Sequence, residues 1–114
     1  MANRRYEKYY SLTKGNTNAI SLTVYYHLGG YNMFTYKPMK RGYYLSITPC
    51  NITRRDGYST VETAAFSGYK TLIKELKRDS QKAFDEAVKF ATDNAKEIFA
   101  MWFPDLEVDW ETEL

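Results

Sequence analysis

Residues 20–26, Ile-Ser-Leu-Thr-Val-Tyr-Tyr, alternate without a break. Ile20, Leu22, Val24 and Tyr26 fall on one side of an extended chain, and Ser21, Thr23 and Tyr25 on the other. Period two with β-branched and aromatic enrichment marks a strand with one face in a core. This segment commits the first half of the chain to a sheet.

The flanking segments supply its neighbours. Gly29-Gly30 is a hairpin turn signal, and residues 31–36 (Tyr-Asn-Met-Phe-Thr-Tyr) read as the next strand. Residues 37–42, punctuated by Pro38 and Gly42, form a turn. Residues 43–48 alternate again, with Tyr43, Leu45 and Ile47 on one face and Tyr44, Ser46 and Thr48 on the other. Pro49 should end that strand or mark an edge position. Asp56-Gly57 turns the chain into a strand over 58–66, and residues 5–13 alternate well enough to add a fifth. Connections this short make the neighbours antiparallel.

From Ser67 onward the spacing lengthens. Tyr69, Leu72, Ile73 and Leu76, then Ala83, Phe84, Ala87, Phe90, Ala91, Ala95, Ile98, Phe99 and Trp102 recur every three or four residues. That is helical spacing. With Asp79 or Ser80 as an N-cap, the pattern predicts a shorter helix over 68–78 and a long one over 80–102; a single kinked helix is the alternative. Pro104 ends it. The fold expected is α+β: an antiparallel β-meander of 4–5 strands packed on one long C-terminal helix with a shorter helix before it. Ile20, Leu22, Val24, Leu45 and Ile47 would meet the helix. The chain's 114 residues suit one domain. Its expected extent is 1–104, followed by an acidic tail, 105–114, either a short edge strand or a disordered end.

Charge divides the same way. Residues 1–58 hold nine basic and two acidic side chains, and residues 59–114 seven and twelve, so +7 faces −5. Such asymmetry fits a bipolar surface with a basic binding side, and equally a basic sheet beside an acidic helix.

Several chemistries find no support. One Cys (Cys50) and one His (His27) cannot fill a tetrahedral metal site. Cys50 has no partner for an internal disulfide and reads as a small buried side chain in a reducing compartment. Gly29-Gly30 lacks the Lys-Ser/Thr of a phosphate loop, and His27 beside that turn has no nameable triad partners. No cofactor and no small-molecule substrate is implied. The expectation is a protein that is not an enzyme. No leader and no apolar run near 18 residues is visible, so a cytoplasmic protein without a membrane span is expected.

The basic-aromatic stretch His27–Tyr44 is the best functional candidate. Aromatic residues make up 17% of the chain and include eleven Tyr, and rings that stack on bases beside cations that track phosphate hold single-stranded nucleic acid. Tyr25, Phe34, Tyr36 and Tyr44 could share the sheet face away from the helices, with Lys37, Lys40 and Arg41 at the next turn and Arg54 and Arg55 in a loop on the same side. The plain structural alternative is that these rings pair across strands and these cations guard edges and turns. The same exposed rings with arginine at the rim fit an interface with a protein. The leading expectation is therefore a non-enzymatic accessory protein acting by protein–protein association, a homodimer included. The alternative is a nucleic-acid-binding module, for DNA or RNA, using the aromatic-basic sheet face.

The strings YEKYYSLTKGNTNAISLTVYY (6–26) and RGYYLSITP (41–49) resemble small accessory proteins encoded in conjugative and other mobile elements of gut bacteria. The resemblance covers roughly the first two-thirds of the chain. It implies a bacterial, cytoplasmic, accessory role close to DNA, and carries over no catalytic residues.

Overall fold

The computed structural model describes residues 4–31, 36–63 and 68–114. In chain order the elements are β1 (Arg5–Lys14), β2 (Ala19–His27), β3 (Gly30–Tyr31), β4 (Pro38–Met39), β5 (Gly42–Arg55), β6 (Tyr58–Thr63), β7 (Tyr69–Glu75), α1 (Gln81–Trp102) and β8 (Glu107–Glu113). Five strands lie side by side in the order β6-β5-β2-β1-β8, and β7 joins the same sheet against β5. Every pairing is antiparallel. One face of the sheet carries α1. The architecture is the α+β class expected, with one helix instead of two and a six-stranded main sheet instead of four or five.

The missing helix is β7. Residues 69–75 pair with β5, with Tyr69 opposite Ile47 and Thr71 opposite Leu45. Tyr69, Leu72, Ile73 and Leu76 satisfy a helical spacing, but Tyr69, Thr71 and Ile73 satisfy an alternation equally. A short apolar run does not distinguish the two periods, and Tyr, Thr and Ile favour the pleat.

The strand expected over 31–36 is not part of the main sheet. β3 and β4 form a separate two-stranded ribbon, Gly30 opposite Met39 and Tyr31 opposite Pro38. Residues 32–35, including Phe34, lie outside the described residues, as do 64–67 of the expected strand 58–66. β2 pairs directly with β5, from Ala19 opposite Cys50 to His27 opposite Gly42.

β5 runs straight through Pro49, which was expected to end it or to mark an edge. On the edge away from β2, the ladder with β7 stops at Ile47 and the ladder with β6 starts at Cys50. Pro49 falls at that interruption, where a residue without an N–H disturbs the sheet least.

The core follows from the alternation. Ile20, Leu22 and Val24 of β2 and Tyr43, Leu45 and Ile47 of β5 are buried against α1. The helix presents Ala83, Ala87, Ala91 and Ala95, a row of small side chains at i, i+4 spacing that brings it close to the sheet, and closes with Phe99. Two tyrosines reach through the core to tie down the turn before the helix: Tyr43 donates to the Ser80 carbonyl (3.1 Å) and Tyr26 to the Leu76 carbonyl (2.9 Å). Buried Tyr needs such a partner for its hydroxyl. Ser80 is the N-cap, its hydroxyl accepting from the Ala83 amide at 3.2 Å. Ser80→Ala should cost about 1 kcal/mol, the usual worth of such a cap; a urea titration of both proteins measures it.

The acidic segment takes the edge-strand form. β8 pairs with β1, with Ser11 opposite Asp109 and Leu12 opposite Val108. Trp110 packs on Tyr10 (5.1 Å between ring centres) and edge-on to Phe99 (5.7 Å). Lys8 pairs with Glu113 at 3.0 Å.

Candidate nucleic-acid interface

Among the described residues, the second face of the sheet carries no helix. Registration places Arg5, Glu7, Tyr9 and Ser11 of β1 beside Tyr25, Thr23, Ser21 and Ala19 of β2. Those in turn lie beside Tyr44, Ser46, Thr48 and Cys50 of β5. Lys70 and Leu72 of β7 continue the same rows. The floor is built of Ser, Thr, Ala and Cys, and the walls of Tyr, Arg and Lys. A sheet face meant for a second sheet would present interdigitating apolar side chains. This one carries Ser and Thr, of which Ser21 and Thr23 are buried, the Ser21 hydroxyl donating to the Thr48 carbonyl at 3.2 Å.

The rings concentrate at one end. Tyr25 and Tyr44 are cross-strand partners whose rings lie 6.0 Å apart and 21° from parallel. The Arg5 guanidinium sits 5.9 Å from the Tyr25 ring centre and the Lys70 ammonium 5.7 Å from it. His27 meets the Tyr44 ring edge-on at 5.8 Å. Tyr44 is buried, donating its hydroxyl to the Lys40 carbonyl at 2.7 Å, whereas Tyr25 is half-exposed. Of the two rings, Tyr25 is the one with exposed surface, and Tyr44 packs against it.

The cations are not equivalent. Arg5 pairs with Glu7 at 2.7 Å. Lys70 has no ion pair among the described residues, so it carries the net positive charge beside Tyr25. Glu7 also accepts the Tyr9 hydroxyl, and these two donors, Tyr9 first, hold its carboxyl below the usual range. Burial, then the bond to Glu7, pushes Tyr9 up to about 12. In the unfolded chain Tyr9 would ionise near pH ~10. Stability from the protonated form is therefore complete below about pH 10 and is lost as pH rises toward about 12. Tyr9→Phe should lose less stability than the wild type between those two values, which chemical denaturation at stepped alkaline pH would show. Cys50 is fully buried on this floor, and burial raises its thiol, so it offers no thiolate at neutral pH.

The nine residues singled out in the sequence do not form one patch. Tyr25 and Tyr44 meet as described. Tyr36 lies outside the main sheet, 81% exposed and with a left-handed backbone (φ 56°). Lys37 is exposed at the start of the same ribbon. Lys40 reaches Glu75 at 3.6 Å. Arg41 is structural: its Nε donates to the Leu28 carbonyl and its Nη1 to the Lys77 carbonyl, each at 3.1 Å, which staples two loops together. Arg54 shares the open face but stands ten positions beyond Tyr44 on β5, roughly 33 Å away at about 3.3 Å per residue. Arg55 is exposed beside it at the hairpin tip. Phe34 is outside the described residues.

Arg5, Tyr9 and Lys70 were missed as members of this face. The signal for Arg5 and Tyr9 was the alternation of β1 set against that of β2. Lys70 was hidden because its segment read as helix.

Among the described residues no group of three or more His, Cys, Asp or Glu side chains could hold a metal ion. Among the same residues no helix is long and apolar enough to cross a membrane. Comparison with protein-family models, curated proteins and solved structures gave no match.

Proposed function

We propose that the chain binds single-stranded nucleic acid at the Tyr25 end of the sheet face opposite its helix. The observation that carries this reading is the Arg5–Tyr25–Lys70 cluster, a partly exposed ring between two cations on the sheet face opposite the helix. A half-exposed ring between two cations offers a base a stacking surface and its phosphates a charge. Ser46 and Thr48, partly exposed in the same rows, add hydroxyls that can bond sugar and phosphate oxygens.

Fluorescence anisotropy of a labelled 12-mer oligonucleotide, at several salt concentrations, tests the reading. Affinity should fall with salt, and Lys70→Ala should reduce the logarithmic slope by about 0.7, the value of one phosphate contact on a single strand. No binding to DNA or RNA oligomers at low salt would remove the proposal.

A second reading, association with a protein or a second copy, is favoured by one observation. Met101 and Trp102, at the end of α1, are 77% and 58% exposed. Trp102 lines a largely apolar cleft of about 470 Å³ with Pro49, Phe103, Pro104 and Leu106. Exposed large side chains beside a cleft are the composition of a binding surface. Sedimentation velocity at two concentrations decides for a homodimer; a monomer at both removes that form.

A further inference from the structure

β8 closes one edge of the sheet, and β6 and β7 follow each other along the opposite edge, both against β5. A free edge offers N–H and C=O groups to any strand, so natural edges carry charge, proline or a bulge. β8 carries Glu107, Asp109, Glu111 and Glu113. β7 carries Lys70 and Lys74, both exposed, and a register shift against β5. β6 has only one charge, Glu62, and no proline. Its sequence, Tyr-Ser-Thr-Val-Glu-Thr, is rich in strand formers. Its ladder with β5 is regular from Cys50 opposite Thr63 to Arg55 opposite Tyr58, and all six of its residues are exposed. Among the described residues nothing pairs with its outer edge.

We infer that β6 pairs antiparallel with β6 of a second copy of this chain, across a two-fold axis at Thr60, joining two sheets into one. This goes beyond both readings above, because it needs neither the Tyr25 cluster nor the Trp102 cleft. A strand added to a free edge gains main-chain hydrogen bonds, and its side chains set the register. Charge complementarity points to a second copy as the occupant. Cross-strand partners share a face, so Asn51, Thr53, Arg55, Tyr58, Thr60 and Glu62 lie on one side of the β5–β6 hairpin. Neither Arg55 nor Glu62 has an ion pair among the described residues. With the axis at Thr60, Tyr58 faces the partner's Glu62, and Arg55 stands behind Tyr58 in the same row. Arg55 and the partner's Glu62 are then two strand spacings apart, roughly 10 Å, a span that two long side chains close across the Tyr58 ring. The two-fold repeats this match. The central row is Thr53, Thr60 and their copies, and Thr–Thr pairs are favourable across strands. An axis at Glu62 would set two carboxylates face to face. An axis at Val61 would put Glu62 opposite Thr60, outside the Arg55 row. The contact is isologous and uses the one unguarded edge among the described residues, so the assembly closes at two.

Sedimentation velocity of the full chain over a concentration series tests this. The wild type should pass from monomer to dimer as concentration rises. Thr60→Lys sets two like charges face to face at the axis and should raise the dimer dissociation constant at least about tenfold. Arg55→Glu should raise it about fivefold, the upper end for one cross-strand charge pair. Arg55→Glu combined with Glu62→Arg reverses both charges and should return it to the wild-type value. The substituted residues are all exposed, and thermal unfolding of each variant shows that it is folded. If Thr60→Lys does not fold, the charge-reversal pair carries the test alone. A wild type that stays monomeric overturns the inference and leaves nucleic-acid binding at the Tyr25 end standing. A dimer unaffected by Thr60→Lys also overturns it and moves self-association to the Trp102 surface. A double variant no tighter than Arg55→Glu overturns the Thr60 register and the charge match on which the inference stands.

Discussion

Gly42→Ala should lower stability by about 3 kcal/mol, the upper end of the cost of forcing extra volume into a packed site. A Cβ on Gly42 would overlap the Lys74 carbonyl oxygen and come within 3.0 Å of Glu75 Cα. Both obstacles are backbone, so no rotamer change relieves them, and the β5–β7 ladder must open where Gly42 faces Glu75. Three kcal/mol is a large share of a total of roughly 5–15 kcal/mol, and at ~4 °C per kcal/mol the melting temperature should drop by about 12 °C. Gly57→Ala is the control. That residue has a left-handed backbone (φ +85°) and open space where a Cβ would go, so only the conformational cost of about 1 kcal/mol applies. Similar melting of the two variants would show that the β5–β7 contact is not the constraint inferred.

Tyr25→Ala should weaken oligonucleotide binding by roughly 5- to 150-fold, the range of ~1–3 kcal/mol per stacked base. Tyr25→Phe keeps the ring and should bind as the wild type does. The fold should survive both, because Tyr25 is half-exposed and its cross-strand contact with Tyr44 is worth only ~0.2–1 kcal/mol. Lys70→Ala leaves the ring in place and should act mainly through salt dependence. Arg41→Ala should behave differently from both. Its two bonds to backbone carbonyls predict lower stability with little change in binding by the protein that remains folded. A loss of affinity in Arg41→Ala equal to that in Tyr25→Ala, at unchanged stability, would show the binding surface to lie at the β3–β4 end instead.

The sheet and the helix were legible because their periods are long or clean. Ile20 to Tyr26 alternate without exception, and the alanine row from Ala83 to Ala95 keeps its spacing over most of the observed helix. Residues 69–75 were misread because seven residues fit both periods and only the pairing with β5 decides between them. Pro49 was misread because its effect depends on what lies across the strand. No local rule places it opposite the break between two ladders. In the site, alternation was enough to put Tyr25 and Tyr44 on one face. It could not show that β2 pairs with β5 in the register that brings those rings together. Nor could it show that Arg41 is taken up by two carbonyl oxygens, since both partners are backbone atoms of distant loops.

The pairing of β1 with β8 joins positions about a hundred residues apart: Ser11 lies opposite Asp109, and the Leu114 amide donates to the Tyr9 carbonyl at 2.8 Å. Contacts so distant in sequence cost the most loop entropy and form late. During synthesis β1, β2 and β5 can assemble as a local meander while the outer edge of β1 still lacks its neighbour. That edge, with Tyr10 and Leu12 beside it, waits until the helix has crossed the sheet and delivered Val108 and Trp110. The interval before β8 arrives is when the growing chain is most open to pairing with the wrong strand.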